Sequence, residues 1–287
     1  MPTRVKPPHG GTATRPLSDD RARAADGPTA PVIVLSYTHC GAHLVQQALA
    51  AGTDLACTTS TGILPLCEMA AATWARIDDR PVETMSQLAV SSIRTMVTVQ
   101  LTGVLAAAGK RRWCELAVSP PSAAQVFLQV VPASNVVCVH RACPDFVRAA
   151  AEAQPWGLTG PALSWFSVAY PGNSVAALAA YWASSTEQLL AFEAANPQAA
   201  SRVRYEDVAA DADAALGGLR SSLKLGPNPG LGREARQRPA PDVFELAGLA
   251  PVGRSGEHPQ VPMDMVPAGL RERIDHLHAE LGYSGPA

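Results

Sequence analysis

The chain alternates short unbroken apolar runs with longer segments in which apolar residues recur every three to four positions. The run Val32–Leu35 is typical of a strand buried on both faces, as in a parallel sheet. The segment Ala42–Ala51, which ends before Gly52, has a helical pattern. Further strands are predicted at Trp113–Val118, Val136–Val139 and Arg202–Arg204, and further helices at Met85–Ala108, Ala123–Val131, Pro144–Ala153, Leu178–Leu189 and Leu270–Leu281.

This alternation predicts one α/β domain, residues 31–287, with a parallel sheet and helices on both of its faces. Residues 1–30 are rich in Pro, Gly, Arg and Asp and have no apolar periodicity, so we expect a disordered tail. Two later segments rich in Gly and Pro, Gln154–Pro171 and Gly226–Pro262, are predicted to be loops. We interpret the first of them as a loop-dominated lid.

Composition narrows the class of protein. The 287 residues carry a net charge of -2, and no basic excess points to nucleic acid, so a bound anion must be held by local groups. Six cysteines without a Cys-x-x-Cys pair, and an N-terminus without an apolar signal region, predict a cytoplasmic protein with reduced thiols. No stretch approaches the roughly 20 apolar residues of a membrane span, so we expect no membrane partner.

The segment Ser36–Leu44 is the first candidate site. A buried strand feeds a turn and then a helix, a geometry that directs backbone N–H groups and the positive end of the helix at one spot. The motif Gly-x-x-x-x-Gly-Lys-Ser/Thr is absent, so the loop is not that of an ordinary ATP or GTP site. The candidate phosphate-binding residues are Thr38, His39, Cys40, Gly41, Ala42, His43 and Leu44.

Two other interpretations of this segment stay open. Every α/β protein has strand–loop–helix turns, and a single glycine is weak evidence for a ligand. His39 and His43 stand four residues apart with Cys40 beside His39, which is compatible with zinc. However, no carboxylate or third histidine lies at a spacing that is typical of zinc sites. We therefore predict no metal site.

Three further regions change the interpretation of the loop. They are Asn135–Ala149, the pair Tyr181-Trp182 with the later segment Val203–Val208, and the C-terminal segments Val252–Gly256 and Leu281–Tyr283. Taken with Ser36–Leu44, their order and spacing resemble the PAPS-dependent sulfotransferases (PAPS is 3′-phosphoadenosine 5′-phosphosulfate). The resemblance implies a P-loop-like parallel sheet flanked by helices, PAPS as the sulfuryl donor and PAP as its product.

In that family the first loop holds the 5′-phosphosulfate. Tyr37 and Gly41 keep the frame of the family motif, whereas His39 replaces a Lys or Arg and Cys40 replaces a serine. Ala42 and His43 stand at the positions of two threonines. The substitutions remove hydroxyl donors and a permanent charge, and histidine is cationic only if its pKa is raised, as an adjacent phosphosulfate would do.

The resemblance assigns the 3′-phosphate to Arg141, whose planar guanidinium suits a phosphate, and Asp145 matches the acidic position of the same motif. The family serine eight residues after the arginine is Ala149 here. Tyr205 matches a tyrosine near the adenine, although a core tyrosine fits the position nearly as well. The segment Arg254-Ser255-Gly256 resembles the late segment that closes over the 3′-phosphate.

The segment Trp113–Leu116 stands where many members have Trp-x-Glu-Lys, with Leu116 in place of the lysine. Three basic residues lie just before it, at a different register. The first interpretation of these three residues is a solvent-exposed turn, and the second is a contact with an anion. These residues are Lys110, Arg111 and Arg112.

Sulfuryl transfer is an in-line displacement that needs a positioned acceptor, charge stabilisation at the bridging oxygen and a proton acceptor. His39 is predicted to stabilise the leaving phosphate. Glu68 is the first candidate for the base and His43 the second, although Glu68 fits an ordinary helix carboxylate equally well. The expected acceptor is a small molecule with a hydroxyl, phenol or amine, as in specialised metabolism, and a homodimer is left open. Four aromatic residues are predicted either to line its pocket or to pack under the loop: Trp156, Trp165, Phe166 and Tyr170.

Two rival functions remain at the level of the sequence. One is a sulfotransferase-like protein that has lost PAPS and acts as a binding protein, which the changes at His39, Cys40, His43 and Ala149 favour. The other is an enzyme that uses a different phosphorylated or acyl donor. In that enzyme Cys40 would be a nucleophile at a helix N-terminus, where the pKa of a thiol is lowered.

Overall fold

The computed structural model describes residues 30–153, 161–225 and 262–283. Five parallel strands form one sheet with the spatial order β2-β3-β1-β4-β5. The strands are β1 (Val32–Ser36), β2 (Leu55–Thr59), β3 (Arg112–Val118), β4 (Asn135–His140) and β5 (Ala200–Arg204).

Helices flank this sheet within a single domain. They are α1 (Ala42–Ala50), α2 (Ile63–Asp78), α3 (Gln87–Ala108), α4 (Pro121–Val130), α5 (Cys143–Ala153), α6 (Pro161–Ala169), α7 (Ser174–Ala195), α8 (Tyr205–Ala210), α9 (Ala212–Ser222) and α10 (Ala268–Leu281), with short 3-10 turns at Val82–Thr84 and Met263–Met265.

Local chemistry explains where the two longest helices begin and end. The Ser86 hydroxyl accepts the Ala89 N–H at 3.1 Å at the start of α3, and Gly109 ends that helix in the left-handed region with φ of 61°. At the start of α7 the Asn173 side chain accepts the Ala176 N–H at 2.9 Å. Each cap satisfies an N–H that the helix itself leaves unpaired.

The strand β1 lies at the centre of the sheet and is buried along its whole length. Val34 is in register with Leu116 of β3 on one side and with Val137 of β4 on the other. The chain runs from β1 outwards to β2, returns to β3, and then crosses to β4 on the opposite side of β1. The loop after β1 therefore lies at the topological switch point, where α/β proteins bind ligands at the carboxyl ends of their strands.

The structure confirms the predicted parallel α/β domain and most of its elements, but β2 and the helices α2, α6, α8 and α9 were not predicted. The strand β2 and the helix α2 escaped prediction, because the β2 sequence Leu-Ala-Cys-Thr-Thr offers no apolar run. Residues Pro161–Ala169, expected to be loop, form α6. The predicted disordered tail and the predicted loop after Leu225 fall almost wholly outside the described residues.

Within the described ranges, α3 is the one helix long and apolar enough to cross a membrane by length and composition. The expectation that no segment reaches that length is therefore corrected. The helix packs against α2, α4 and the strands β2 and β3. A helix on the surface of a globular domain makes contacts of the same kind.

Candidate active site at the carboxyl edge of the sheet

The loop between β1 and α1 has the backbone shape of an anion cradle. His39 and Gly41 both take the left-handed region, with φ of 60° and 73°. Gly41 is the residue that precedes α1, and no side chain caps the first N–H groups of this nine-residue helix. Unpaired N–H groups and the positive end of the helix dipole together attract anions.

Arg141 connects this loop to the end of β4. It is 1 % exposed, and its Nη1 donates to the His39 carbonyl oxygen at 2.9 Å. The Trp182 indole N–H in turn donates to the Arg141 carbonyl oxygen at 2.7 Å, which fixes the backbone. The Arg141 Nε is buried and has no hydrogen-bond partner among the described residues. A buried donor of this kind calls for an acceptor that the described protein groups do not provide.

Tyr205 covers both Gly41 and Arg141. Its ring centroid lies 4.6 Å from the Arg141 guanidinium carbon, within the range of a cation–π contact. A Cβ added to Gly41 would overlap the same ring, so only glycine fits at this contact. Burial raises the pKa of the Tyr205 phenol, which therefore stays neutral. The structure thus brings together three residues that lie far apart in the sequence.

Glu206, next to Tyr205, supports the turn that follows Arg141. Its Oε1 accepts the Ala142 N–H at 2.9 Å, and its Oε2 accepts the Tyr283 hydroxyl at 2.9 Å. Burial raises the pKa of the Glu206 carboxyl. The pairing of Glu206 with Tyr283 was not predicted, because nothing in the spacing of the residues signals that α8 and the segment after α10 meet there.

Arg148 is a further cation that sequence reasoning missed. Its Nη2 pairs with Asp145 Oδ1 at 2.6 Å, one turn apart on α5. The guanidinium and carboxylate lie close enough to Tyr205 to influence the pKa of its phenol. Arg148 immediately precedes Ala149, the position of the missing serine, and this adjacency was the available signal.

The pKa values of the two histidines of the loop are both lowered, which favours their neutral forms. Burial, followed by the Arg141 cation, lowers the pKa of His39. Burial alone lowers the pKa of His43. A nearby anion would oppose this shift and favour the protonated form of His39.

The Cys40 thiol is buried, and burial raises its pKa well above the ordinary value. The expected lowering at a helix N-terminus is therefore reversed, which opposes Cys40 as a nucleophile. Across the three described ranges no group of three or more His, Cys, Asp or Glu side chains could hold a metal ion.

An aromatic cluster extends from the loop towards α6. The Tyr37 ring meets Phe146 edge-on at 5.5 Å and Tyr181 at 6.3 Å, and Phe166 of α6 meets Tyr181 at 5.7 Å. The Thr38 hydroxyl lies 3.5 Å from the Tyr181 hydroxyl. Phe166 is therefore connected to the loop after β1 through Tyr181, and its place in an acceptor pocket stays a prediction.

The other aromatic residues of the predicted lid behave differently. Trp165 on α6 is 76 % exposed, and Tyr170 is half-buried against the core. Trp156 lies outside the described residues, as do Arg254, Ser255 and Gly256. What these four residues do stays a prediction.

Glu68, the first candidate for the base, lies on α2 and is half-buried. Its Oε1 accepts the Ser122 hydroxyl of α4 at 2.6 Å, a contact between two helices. Glu115 of β3 is more deeply buried and accepts the Thr61 N–H at 2.7 Å, the Thr61 hydroxyl at 2.8 Å and the Thr58 hydroxyl. Burial raises the pKa of Glu115, and its carboxyl lines a cavity of about 140 Å³.

The basic residues before β3 lie at the amino edge of the sheet, opposite the loop after β1, so they share no anion with that loop. Lys110 and Arg111 are exposed, as a solvated turn predicts, and Arg111 pairs with Asp54 at 2.6 Å. Arg112 is buried instead. It donates to the Ala30 and Leu223 carbonyl oxygens, so the prediction of an exposed turn is wrong for this residue.

Comparisons with known proteins identify the family and the fold of the chain. A family model described as Sulfotransferase family matches residues 31–226. A search of curated proteins finds no match.

Among solved structures, the sulfotransferase domain from the curacin biosynthetic pathway aligns with 90 % of this chain and 99 % of its own, at 13 % identity and a TM-score of 0.57. The sulfotransferase domain of the Synechococcus PCC 7002 olefin synthase aligns with 91 % and 98 %, at 11 % identity and a TM-score of 0.53. Sulfotransferase STF9 from Mycobacterium avium aligns with 91 % and 78 %, at 12 % identity and a TM-score of 0.50.

At these identities the solved structures establish the fold alone. The family model covers more than half of the chain, from the residue before β1 to four residues beyond the end of α9. The chain belongs to the sulfotransferase family.

Proposed function

We propose that this sulfotransferase moves a sulfuryl group from PAPS to a hydroxyl, phenol or amine of a small acceptor. The observation that carries the proposal is the buried Arg141 guanidinium, which contacts the loop after β1 and leaves its Nε without a partner among the described residues. A buried cation beside an uncapped helix N-terminus suits a ligand that carries phosphate groups.

The residues fit PAPS in two places. The first N–H groups of α1 suit the 5′-phosphosulfate, and Arg141 suits the 3′-phosphate. Arg148, which pairs with Asp145 and precedes Ala149, is a second candidate contact for the 3′-phosphate. Since the net charge of the chain is -2, this binding depends on local groups. When bound, PAPS supplies the sulfuryl group.

His39 is the residue that we assign to charge stabilisation. It lies on the loop itself, and its lowered pKa rises when a phosphosulfate is adjacent. Glu68 and His43 stay the candidates for the base. Replacement of Glu68 by Gln keeps the hydrogen bond from Ser122 and removes the basic group, so a loss of turnover without a loss of stability would identify Glu68 as the base.

The acceptor is proposed to be a specialised metabolite with an apolar body. The cluster of Tyr37, Tyr181 and Phe166 beside the loop supports an aromatic or aliphatic ligand. Two structures of similar fold are sulfotransferase domains from a curacin pathway and from an olefin synthase, which favours this class of acceptor.

Calorimetric titration with PAP, the desulfonated product, tests the proposal. We expect binding to the wild type, and a loss of at least about 30-fold in affinity for Arg141→Ala, because one charge-assisted pair is removed. Arg141→Lys keeps the charge but loses the planar fork, so it should bind with intermediate affinity.

Arg111→Ala is the matched control, since Arg111 pairs with Asp54 on the surface at the opposite edge of the sheet. It should bind PAP as the wild type does. No binding of PAP by a folded wild type, even at high concentration, would reject the donor and favour the rival function, a sulfotransferase-like binding protein.

A further inference from the structure

Cys57 and Cys114 lie side by side in the sheet. Cys57 of β2 is the direct register partner of Cys114 of β3. Neighbouring strands run about 4.8 Å apart, and register partners in a parallel pair point to the same face. A disulfide needs Cα atoms roughly 4.4–6.8 Å apart, so this pair stands within bridging distance.

The two thiols also contact each other directly. The Cys57 side chain forms a hydrogen bond with that of Cys114, and this contact, together with burial, raises the pKa of the Cys114 thiol. The register and the side-chain contact therefore place the two sulfur atoms next to each other.

Access to solvent distinguishes this pair from the other thiols. Cys57 is exposed on the edge strand β2, whereas the remaining five cysteines are buried. An oxidant therefore reaches Cys57 first, and Cys114 is the thiol next to it. The buried cysteines are Cys40, Cys67, Cys114, Cys138 and Cys143.

Neighbouring side chains keep the pair in register. Gln46 on α1 donates to the Thr58 carbonyl oxygen at 2.8 Å and to the Cys114 carbonyl oxygen at 3.2 Å. Thr58 and Glu115, the next register partners, are linked by a hydrogen bond. These contacts hold the two strands together directly under α1, the helix that begins at the candidate phosphate loop.

We propose that Cys57 and Cys114 form a redox-active pair that a low-molecular-weight disulfide, such as oxidised glutathione, converts to an intramolecular disulfide. The Cys57 thiolate attacks oxidised glutathione, which forms a mixed disulfide and releases one glutathione thiolate. The Cys114 thiol then loses its proton to solvent and attacks the Cys57 sulfur, which releases the second glutathione. Two thiols are oxidised and one glutathione disulfide is reduced to two thiols.

The experiment treats the folded full chain with oxidised glutathione at mildly alkaline pH and measures intact and tryptic masses. The expected product is lighter by two hydrogens, contains a peptide that links Cys57 to Cys114, and returns to the starting mass with dithiothreitol. Cys114→Ser should stop at a glutathione adduct on Cys57, and Cys57→Ser should give neither product.

Cys67→Ser is the matched control, because Cys67 is a buried thiol on α2 and should leave the linkage intact. A folded wild type that keeps glutathione on Cys57 without forming the link would overturn the proposal. So would a link that forms only after denaturant is added, since the native sheet would then not bring the thiols together.

Discussion

Two structural features require a glycine at position 41: a positive φ angle and the close approach of a neighbouring ring. Its φ of 73° lies in the region that glycine adopts without strain, and the Tyr205 ring occupies the space that a Cβ would need. The ring cannot move away freely, because it is buried against the Arg141 guanidinium. Gly41 therefore controls both the shape of the loop and the position of the cation.

Gly41→Ala should lower the free energy of unfolding by about 3 kcal/mol, from left-handed strain together with overlap with the ring. We expect weaker PAP binding as well, since the displaced ring disturbs Arg141. Urea denaturation and calorimetry measure the two effects.

Gly62→Ala is the control, because Gly62 also precedes a helix with φ of 80° and has nothing within 4 Å of an added Cβ. It should cost only about 1 kcal/mol, the strain alone. Equal decreases in the free energy of unfolding of the two variants would show that overlap with Tyr205 does not destabilise Gly41→Ala.

At the scale of elements, Glu115 links β3 to the turn between β2 and α2. Its carboxyl accepts three hydrogen bonds from Thr58 and Thr61, and the Trp113 indole N–H donates to the same Thr58 hydroxyl at 2.6 Å. The turn thereby gains a fixed position against the sheet, although β2 lies at its edge.

Glu115→Leu should lower the free energy of unfolding by about 2 kcal/mol, because it removes the acceptor of three hydrogen bonds from the half-buried Thr58 and Thr61. Glu115→Gln keeps one acceptor for Thr61 and should lose about 1 kcal/mol or less. Chemical denaturation measures the free energy of unfolding of each variant. Glu68→Gln is the control, because it replaces a half-buried carboxyl that accepts a single hydrogen bond, and it should leave the stability unchanged. A Glu115→Leu variant as stable as the wild type would contradict the assigned role.

At the scale of the whole molecule, the C-terminal helix α10 joins the elements around the site. His278 of α10 accepts the Cys143 N–H at 3.0 Å, at the start of α5, and its ring meets Trp182 of α7 edge-on at 5.2 Å. Only a neutral imidazole accepts this bond. Burial lowers the pKa of His278 accordingly.

The folded state therefore binds the proton of His278 less readily than the unfolded chain, whose histidine has a pKa of about 6.5. The stability that the neutral ring contributes is complete above that value and is lost as the pH falls below it. Because the pKa values of His39 and His43 are also lowered, all three histidines act in the same direction.

Denaturation at a series of pH values from 7.5 to about 5 tests this linkage. Unfolding free energy should fall with pH in the wild type and fall less steeply in His278→Gln, which keeps an acceptor but does not titrate. His276→Gln, an exposed residue of the same helix, should retain the slope of the wild type. An unchanged slope in His278→Gln would exclude His278 as a source of the pH dependence.

Much of the fold follows from local patterns. The run Val32–Leu35 is apolar because β1 is buried on both faces, and Gly109 ends α3 as predicted. The edge strand β2 was missed, since an edge strand with an exposed cysteine and two threonines has no apolar run. The helix α6 was not predicted because the surrounding sequence is rich in Pro and Gly, which is typical of loops. The packing of Phe166 on Tyr181 is a tertiary contact that the sequence pattern does not show.

The sequence by itself was enough to predict the family and to name the loop Ser36–Leu44 and the arginine after β4 as candidate site residues, because short motifs and their order along the chain carry that information. Only the tertiary structure decided the surroundings of Arg141, the contact of Tyr205 with Gly41 and the burial that lowers the pKa of His39. It also decided which carboxyl is buried and which cysteines are neighbours. Burial and hydrogen bonding depend on segments that lie far apart in sequence and meet only when the sheet forms.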